Sequence, residues 1–167
     1  MVATMVNLVI MRHGEAEPQY LSDSERQLTA AGQAEVSEMA QWLHHHYSAF
    51  DRIFSSPYRR TQQTAAVLLQ KGLSAHPVEV NADLVPEGNA QLVVDFLDML
   101  YAENPQTKIL LVSHMPLVSF LVEAFTRSGQ TPIFDTAGVA CIDYHQHRGI
   151  LLEYACPSML RLVKSVS

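Results

Sequence analysis

Cysteine is nearly absent: Cys141 and Cys156 are the only two in 167 residues. They have neither metal-ligand spacing nor an evident disulfide logic, so both are read as reduced core residues rather than as a scaffold or a metal site. Basic residues are also in deficit, with 11 Lys and Arg against 17 Asp and Glu, a net charge of −6 and a pI near 5.7. That balance argues against a protein whose main business is gripping nucleic-acid phosphates, which calls for a basic face. No apolar run is long enough to span a bilayer, and Met1-Val2-Ala3-Thr4-Met5 lacks the basic region of a signal peptide. The expectation is a cytoplasmic protein with neither membrane nor nucleic acid among its partners. Repeats, linkers and low-complexity tracts are missing too. With 48% hydrophobic and 17% charged residues, the chain reads as a folded protein in which residues 1–167 form a single domain.

What is present is chemistry at strand ends. Asn7-Leu8-Val9-Ile10-Met11 is an apolar strand pattern that runs straight into Arg12-His13-Gly14-Glu15. Parallel α/β sheets bind ligands outside the carboxyl ends of their strands, so these residues fall where such a sheet places its site. Gly14 is expected to allow a tight turn and close approach of a ligand. Two further patterns end the same way: Asp51-Arg52-Ile53-Phe54-Ser55 leads into Ser56-Pro57-Tyr58-Arg59-Arg60, and Lys108-Ile109-Leu110-Leu111-Val112-Ser113 leads into His114. Three strand ends are therefore expected to converge on one polar site.

Between these blocks the pattern alternates strand and helix. Glu17 to Asp23 reads as a polar loop over the strand ends. Thr29 is a suitable N-cap for a helix whose Val36, Met39, Ala40, Leu43 and Tyr47 share one face. That helix ends near His44-His45-His46, whose consecutive side chains diverge and so read as a solvated helix end rather than a metal site. Ser56 and Pro57 predict a helix start with Ser as cap and Pro in the first position. Arg59 and Arg60 then lie in the first turn about 100° apart, and Arg60, on the face of Thr64, Val67 and Leu68, is the one expected to enter a pocket. The helix N-terminus there would reinforce its pull on an anion. Gly72 is expected to close this helix, with a brief strand at Val78 to Val80. A third helix is expected to bury Leu92, Val93, Phe96 and Leu100, and a fourth, restarted by Pro116, to bury Leu117, Phe120, Leu121 and Ala124. Two strands, Val139 to Tyr144 and Ile150 to Tyr154, close the pattern.

Two arginines and two histidines at strand ends suit phosphoryl transfer through a histidine. Guanidinium forks match phosphoryl oxygens and stay charged at working pH. A neutral imidazole can hold the phosphoryl group covalently, and neighbouring cations keep it unprotonated. No convincing carboxylate cluster is available to hold a metal, so neither metal nor other cofactor is expected.

Arg12-His13-Gly14-Glu15, the run Ser56-Pro57-Tyr58-Arg59-Arg60-Thr61-Gln62-Gln63-Thr64 and Val112-Ser113-His114 together resemble the histidine phosphatase superfamily, whose larger members include phosphoglycerate mutases and acid phosphatases. The blocks occur in family order across most of the chain. The resemblance implies a three-layer α/β/α sandwich on a mostly parallel sheet, phosphoglycerate mutase-like. It implies His13 as phosphorylated nucleophile and Arg12, Arg60 and His114 as the phosphate pocket. The compact length, Leu28-Thr29 with Gly32, and Ser113-His114-Met115-Pro116-Leu117-Val118 look most similar to bacterial SixA-type phosphohistidine phosphatases. The implied partner is a histidine-phosphorylated protein, such as a phosphotransfer domain or a phosphocarrier.

The pattern departs from the larger relatives in lacking an insertion with a clear acid, and Met115 follows His114 where an acidic residue could stand. Glu87 is the one loop carboxylate nominated as proton donor. An imidazole leaving group has a pKa near ~6.5, whereas an alkoxide is far more basic and generally needs a delivered proton. The missing acid thus favours an N–P substrate. Two alternatives stay open: a small-molecule phosphomonoesterase of the same superfamily, and a non-catalytic module that binds phosphorylated partners.

Overall fold

In the computed structural model, residues 5–18 and 22–166 are described; Gln19, Tyr20 and Leu21 of the polar loop, and Met1 to Thr4, lie outside them. Strands β1 (Leu8–Arg12), β2 (Arg52–Ser55), β3 (Glu79–Val80), β4 (Ile109–Ser113), β5 (Val139–His145) and β6 (Arg148–Ala155) form one sheet in the order β3-β2-β4-β1-β5-β6. The pairs β3/β2, β2/β4 and β4/β1 are parallel, while β5 runs antiparallel to both β1 and β6. Alternate residues feed opposite cores, as the period of a strand requires. Leu8, Ile10, Ile109 and Leu111 join one cluster; Val9, Met11, Leu110 and Val112 join the other. Burial on both faces explains why β1 and β4 read as unbroken apolar runs.

Helices α1 (Ala30–Tyr47) and α2 (Arg59–Gln70) cover one face, with α5 (Pro157–Val166) against α1, while α3 (Ala90–Glu103) and α4 (Leu117–Thr126) cover the other. The result is the expected α/β/α sandwich. Thr29 caps α1 by accepting from the Gly32 amide at 2.9 Å, and α1 buries Val36, Met39, Ala40 and Leu43 while His44, His45 and His46 are exposed. Gly72, at φ 80°, closes α2 in the left-handed conformation that suits glycine. No helix among the described residues is long and apolar enough to cross a membrane.

Several local expectations are corrected. Helix α2 starts at Arg59 with Tyr58 as its cap residue, not with Ser56 and Pro57, because the Ser56 hydroxyl is committed to His114 and Thr61 and holds only the Tyr58 amide, at 3.2 Å. Helix α3 buries Val93, Val94, Leu97, Leu100 and Tyr101; Leu92 is exposed and Phe96 half-buried, edge-on to Phe54. Helix α4 buries Leu117, Val118, Leu121, Val122 and Phe125 and leaves Phe120 in solvent. Both helices are apolar on more than one face, so more than one stripe satisfies the spacing. Helix α5 has no counterpart in the sequence reading.

Candidate active site

The parallel register sets the site. Arg12 pairs with Ser113 and Ser55 with Val112, so β1, β4 and β2 finish level. The next residues, His13, His114 and Ser56, lie side by side. The backbone fixes the first of them on both sides: the His13 amide donates to the Ser113 carbonyl at 3.0 Å, and the His13 carbonyl accepts from the Ala137 amide at 2.9 Å.

Gly14 also serves a purpose that the sequence reading did not assign. A Cβ there would lie 2.7 Å from Val36 Cγ2 and 2.9 Å from the Gly32 carbonyl oxygen, and one on Gly32 would fall inside contact distance of the Glu15 backbone. The close approach is to the first turn of α1, and it needs two glycines facing each other. The Gly14 amide in turn donates to Thr64 Oγ1 at 3.1 Å, tying the turn to α2.

The His13 ring has a defined tautomer. Its Nδ1 lies 2.7 Å from the Gly14 carbonyl oxygen, which can only accept, so Nδ1 carries the proton. Nε2 then presents a lone pair, toward which Arg60 Nε donates at 3.3 Å. Burial pushes the His13 pKa down to about 4 against the opposing bond to Gly14, and Arg60, Arg12 and Arg26 add to the shift. At neutral pH the ring is an uncharged base with its free nitrogen facing an arginine.

Helix α2 turns Arg60 inward, 4% exposed, and leaves Arg59 in solvent. The guanidinium of Arg60 also donates to the Asp23 carbonyl at 2.6 Å and to Asp23 Oδ2 at 3.1 Å, and it stacks over the Tyr58 ring at 5.1 Å. Arg12 is held through Nη1 on the Phe134 carbonyl at 2.7 Å, and its buried Nε has no partner among the described residues. His114 is 1% exposed and stands edge-on to His13 with ring centroids 5.2 Å apart. Its Nε2 is 2.7 Å from Ser56 Oγ, while its buried Nδ1 lacks a partner among the described residues. Burial, then His13 and Arg60, push the His114 pKa down to about 2. Two orphaned nitrogens and a two-arginine field in an acidic protein make a pocket suited to a small anion.

Arg12, His13, Arg60 and His114 are thus brought together. Glu87 makes no contact with them: it is exposed in the loop before α3 and has no hydrogen bond or ion pair with any described residue. Asp23, Ser56, Thr61 and Thr64 take part in the site, and the sequence reading assigned them no chemical part. Thr61 and Thr64 carried a signal, since hydroxyls on the buried face of a helix need partners. Asp23 carried little, because its partner Arg60 is 37 residues away.

The model of the histidine phosphatase superfamily (branch 1) matches residues 8–85, from β1 through β3. The chain belongs to that superfamily. It is 34% identical over 160 residues to the phosphohistidine phosphatase SixA homolog of Haemophilus influenzae, covering 91% of this chain and 97% of the relative. It is 31% identical over 162 residues to the phosphohistidine phosphatase SixA of Escherichia coli, covering 96% and 100%. Among solved structures, the protein histidine phosphatase SixA complexed with tungstate superposes with a TM-score of 0.85 at 32% identity, over 92% of this chain and 98% of that one. A phosphoglycerate mutase from Bacillus anthracis shares the fold, with a TM-score of 0.75 at 15% identity over 96% and 99% of the two chains.

Proposed function

We propose that this chain is a phosphohistidine phosphatase that works through a phosphoryl group held covalently on His13. The observation that carries the reading is the orientation of one ring: Nδ1–H on the Gly14 carbonyl and Nε2 free, buried and uncharged beside Arg60. In the first step Nε2 attacks phosphorus, the substrate P–N bond breaks, and its electron pair leaves with the departing imidazole. That imidazole departs neutral when its other nitrogen carries a proton. His13 becomes an N-phosphoimidazolium that keeps its Nδ1 proton on Gly14. Water then attacks phosphorus, and the His13 ring leaves as the same neutral tautomer, giving inorganic phosphate and releasing a proton to solvent. Arg12, Arg60 and His114 hold the phosphoryl oxygens as their charge shifts.

The surroundings favour an N–P over an ester bond. Asp23, the carboxyl bonded to Arg60, is a poor acid: burial alone would raise its pKa, but the bonds from Arg26 and Arg60 outweigh burial and hold it below the usual range. Glu87 remains the nominated donor only for a more basic leaving group. The relatives named phosphohistidine phosphatases span nearly their full length on this chain, which supports a histidine-phosphorylated protein, such as a phosphotransfer domain or phosphocarrier, as the partner. The two buried free thiols suit a reducing compartment, the cytoplasm.

The test sets a histidine-phosphorylated phosphotransfer domain against a phosphoserine peptide and a sugar phosphate at equal concentration. Phosphate release from the first should exceed the others by orders of magnitude. Preference for the sugar phosphate would make the chain a phosphomonoesterase, and capture of the phosphodomain without phosphate release would make it a binding module.

A further inference from the structure

Arg60 does not stand free in the pocket. Both terminal nitrogens are taken by one residue, Nη1 by the Asp23 carbonyl at 2.6 Å and Nη2 by Asp23 Oδ2 at 3.1 Å, which leaves Nε as the atom that meets His13 Nε2 at 3.3 Å. The carboxylate is itself fixed, because its other oxygen accepts from Arg26 Nη1 at 3.0 Å. Arg26 is fixed in turn, its Nε donating to the Glu17 carbonyl at 2.7 Å. The short 3-10 turn Asp23–Glu25 that carries this residue packs against α2.

We infer that Asp23 is a positioning residue for the transfer step: its carbonyl and carboxylate hold the terminal nitrogens of Arg60 so that the Nε edge faces the phosphorus bound at His13. This rests on the reading of His13 as phosphoryl acceptor and deepens it. A planar guanidinium has one orientation in which Nε and the adjacent Nη2 hydrogen point together at a phosphoryl oxygen, and holding the far side selects it. Two anchors, one of them a main-chain carbonyl, suit orientation better than a carboxylate that merely fills the anion site until displaced. Such a plug would need a free second oxygen to swing away, and Arg26 holds that oxygen.

The two roles predict opposite signs. With Asp23→Ala, and Asp23→Asn keeping the shape, a positioning role lowers kcat by roughly 10- to 100-fold, with Asn the milder change. A plug predicts faster turnover and tighter anion binding. Coupling to Arg60 separates positioning from a general loss of structure. Asp23→Ala should slow the wild type but leave Arg60→Ala almost unchanged, since the arginine it orients is already gone. The same four proteins are titrated with inorganic vanadate, a readout independent of any protein substrate. There Asp23→Ala should weaken binding in the wild type and change it little in the Arg60→Ala background. Equal effects of Asp23→Ala in both backgrounds, or a gain of activity in either Asp23 variant, would overturn the inference. Strict vanadate coupling without turnover of phosphohistidine would instead overturn the proposed activity and leave the positioning intact.

Discussion

At the residue scale, the proposed transfer turns on which nitrogen of His13 is unprotonated, and a main-chain carbonyl decides it. No charged partner is needed to set the tautomer, and burial with three nearby arginines keeps the ring neutral. Of the adjacent arginines only Arg60 faces this ring. Arg60→Ala should therefore lose on the order of 100- to 1,000-fold in kcat/KM, as expected for one oriented donor to a transferring group, while Arg59→Ala should stay within about 2-fold of the wild type, because surface changes away from a site have small effects. Steady-state rates on one phosphohistidine substrate decide this, and equal losses would mean that Arg59 reaches the pocket. The inward arginine was legible in the sequence because helix geometry separates neighbours by a fixed angle. Asp23 and Ser56 were not, since a carboxylate and a hydroxyl in loops carry no period and their partners lie 37 and 58 residues away.

At the scale of elements, the site depends on α1 meeting the turn after β1 backbone to backbone. Gly32→Ala would favour helix by propensity, by up to about 1 kcal/mol, yet its Cβ would press on the Glu15 carbonyl, which cannot rotate away. The clash should win, with a net loss of about 2 kcal/mol or more in urea unfolding and a matching loss of activity as His13 moves. A stabilised Gly32→Ala protein would show that the turn yields without cost. The buried strands were readable because burial on both faces leaves an unbroken apolar run. The faces of α3 and α4 were not, because Leu92 and Phe120 fit an apolar stripe as well as Val94 and Phe125 do. Only the neighbouring elements choose between them. Helix α5 escaped notice because two of its apolar residues, Met159 and Leu162, remain exposed, so its apolar spacing does not mark one buried stripe.

For the whole molecule, two neutral imidazoles buried under a cationic pocket set a limit in acid. The folded pKa values of His13 and His114, about 4 and about 2, lie below the ordinary imidazole value. The unfolded chain therefore binds more protons once the pH drops below about 6.5. Stability is fully present above that pH and is lost as pH falls, at about 1.4 kcal/mol per pH unit for each ring. Urea midpoints measured from pH 7 to pH 5 should decline steeply, and His114→Asn should remove about half of the contribution of the pair. An unchanged slope in His114→Asn would mean that the ring titrates normally in the folded protein. The same arrangement shows how a chain of net charge −6 can offer an anion a site: Arg12 and Arg60 meet where three parallel strands stop together.

The most direct test of a phosphoryl group on His13 is to trap it. Protein mixed with excess phosphohistidine substrate is quenched in base within a turnover, digested and read by phosphorus NMR and mass spectrometry. The expected result is a base-stable phosphohistidine on His13, attached at Nε2 because Nδ1 is committed to the Gly14 carbonyl, and its loss in His13→Ala. Attachment at Nδ1, or a His13→Ala protein that still turns over within about 1,000-fold of the wild type, would contradict the account.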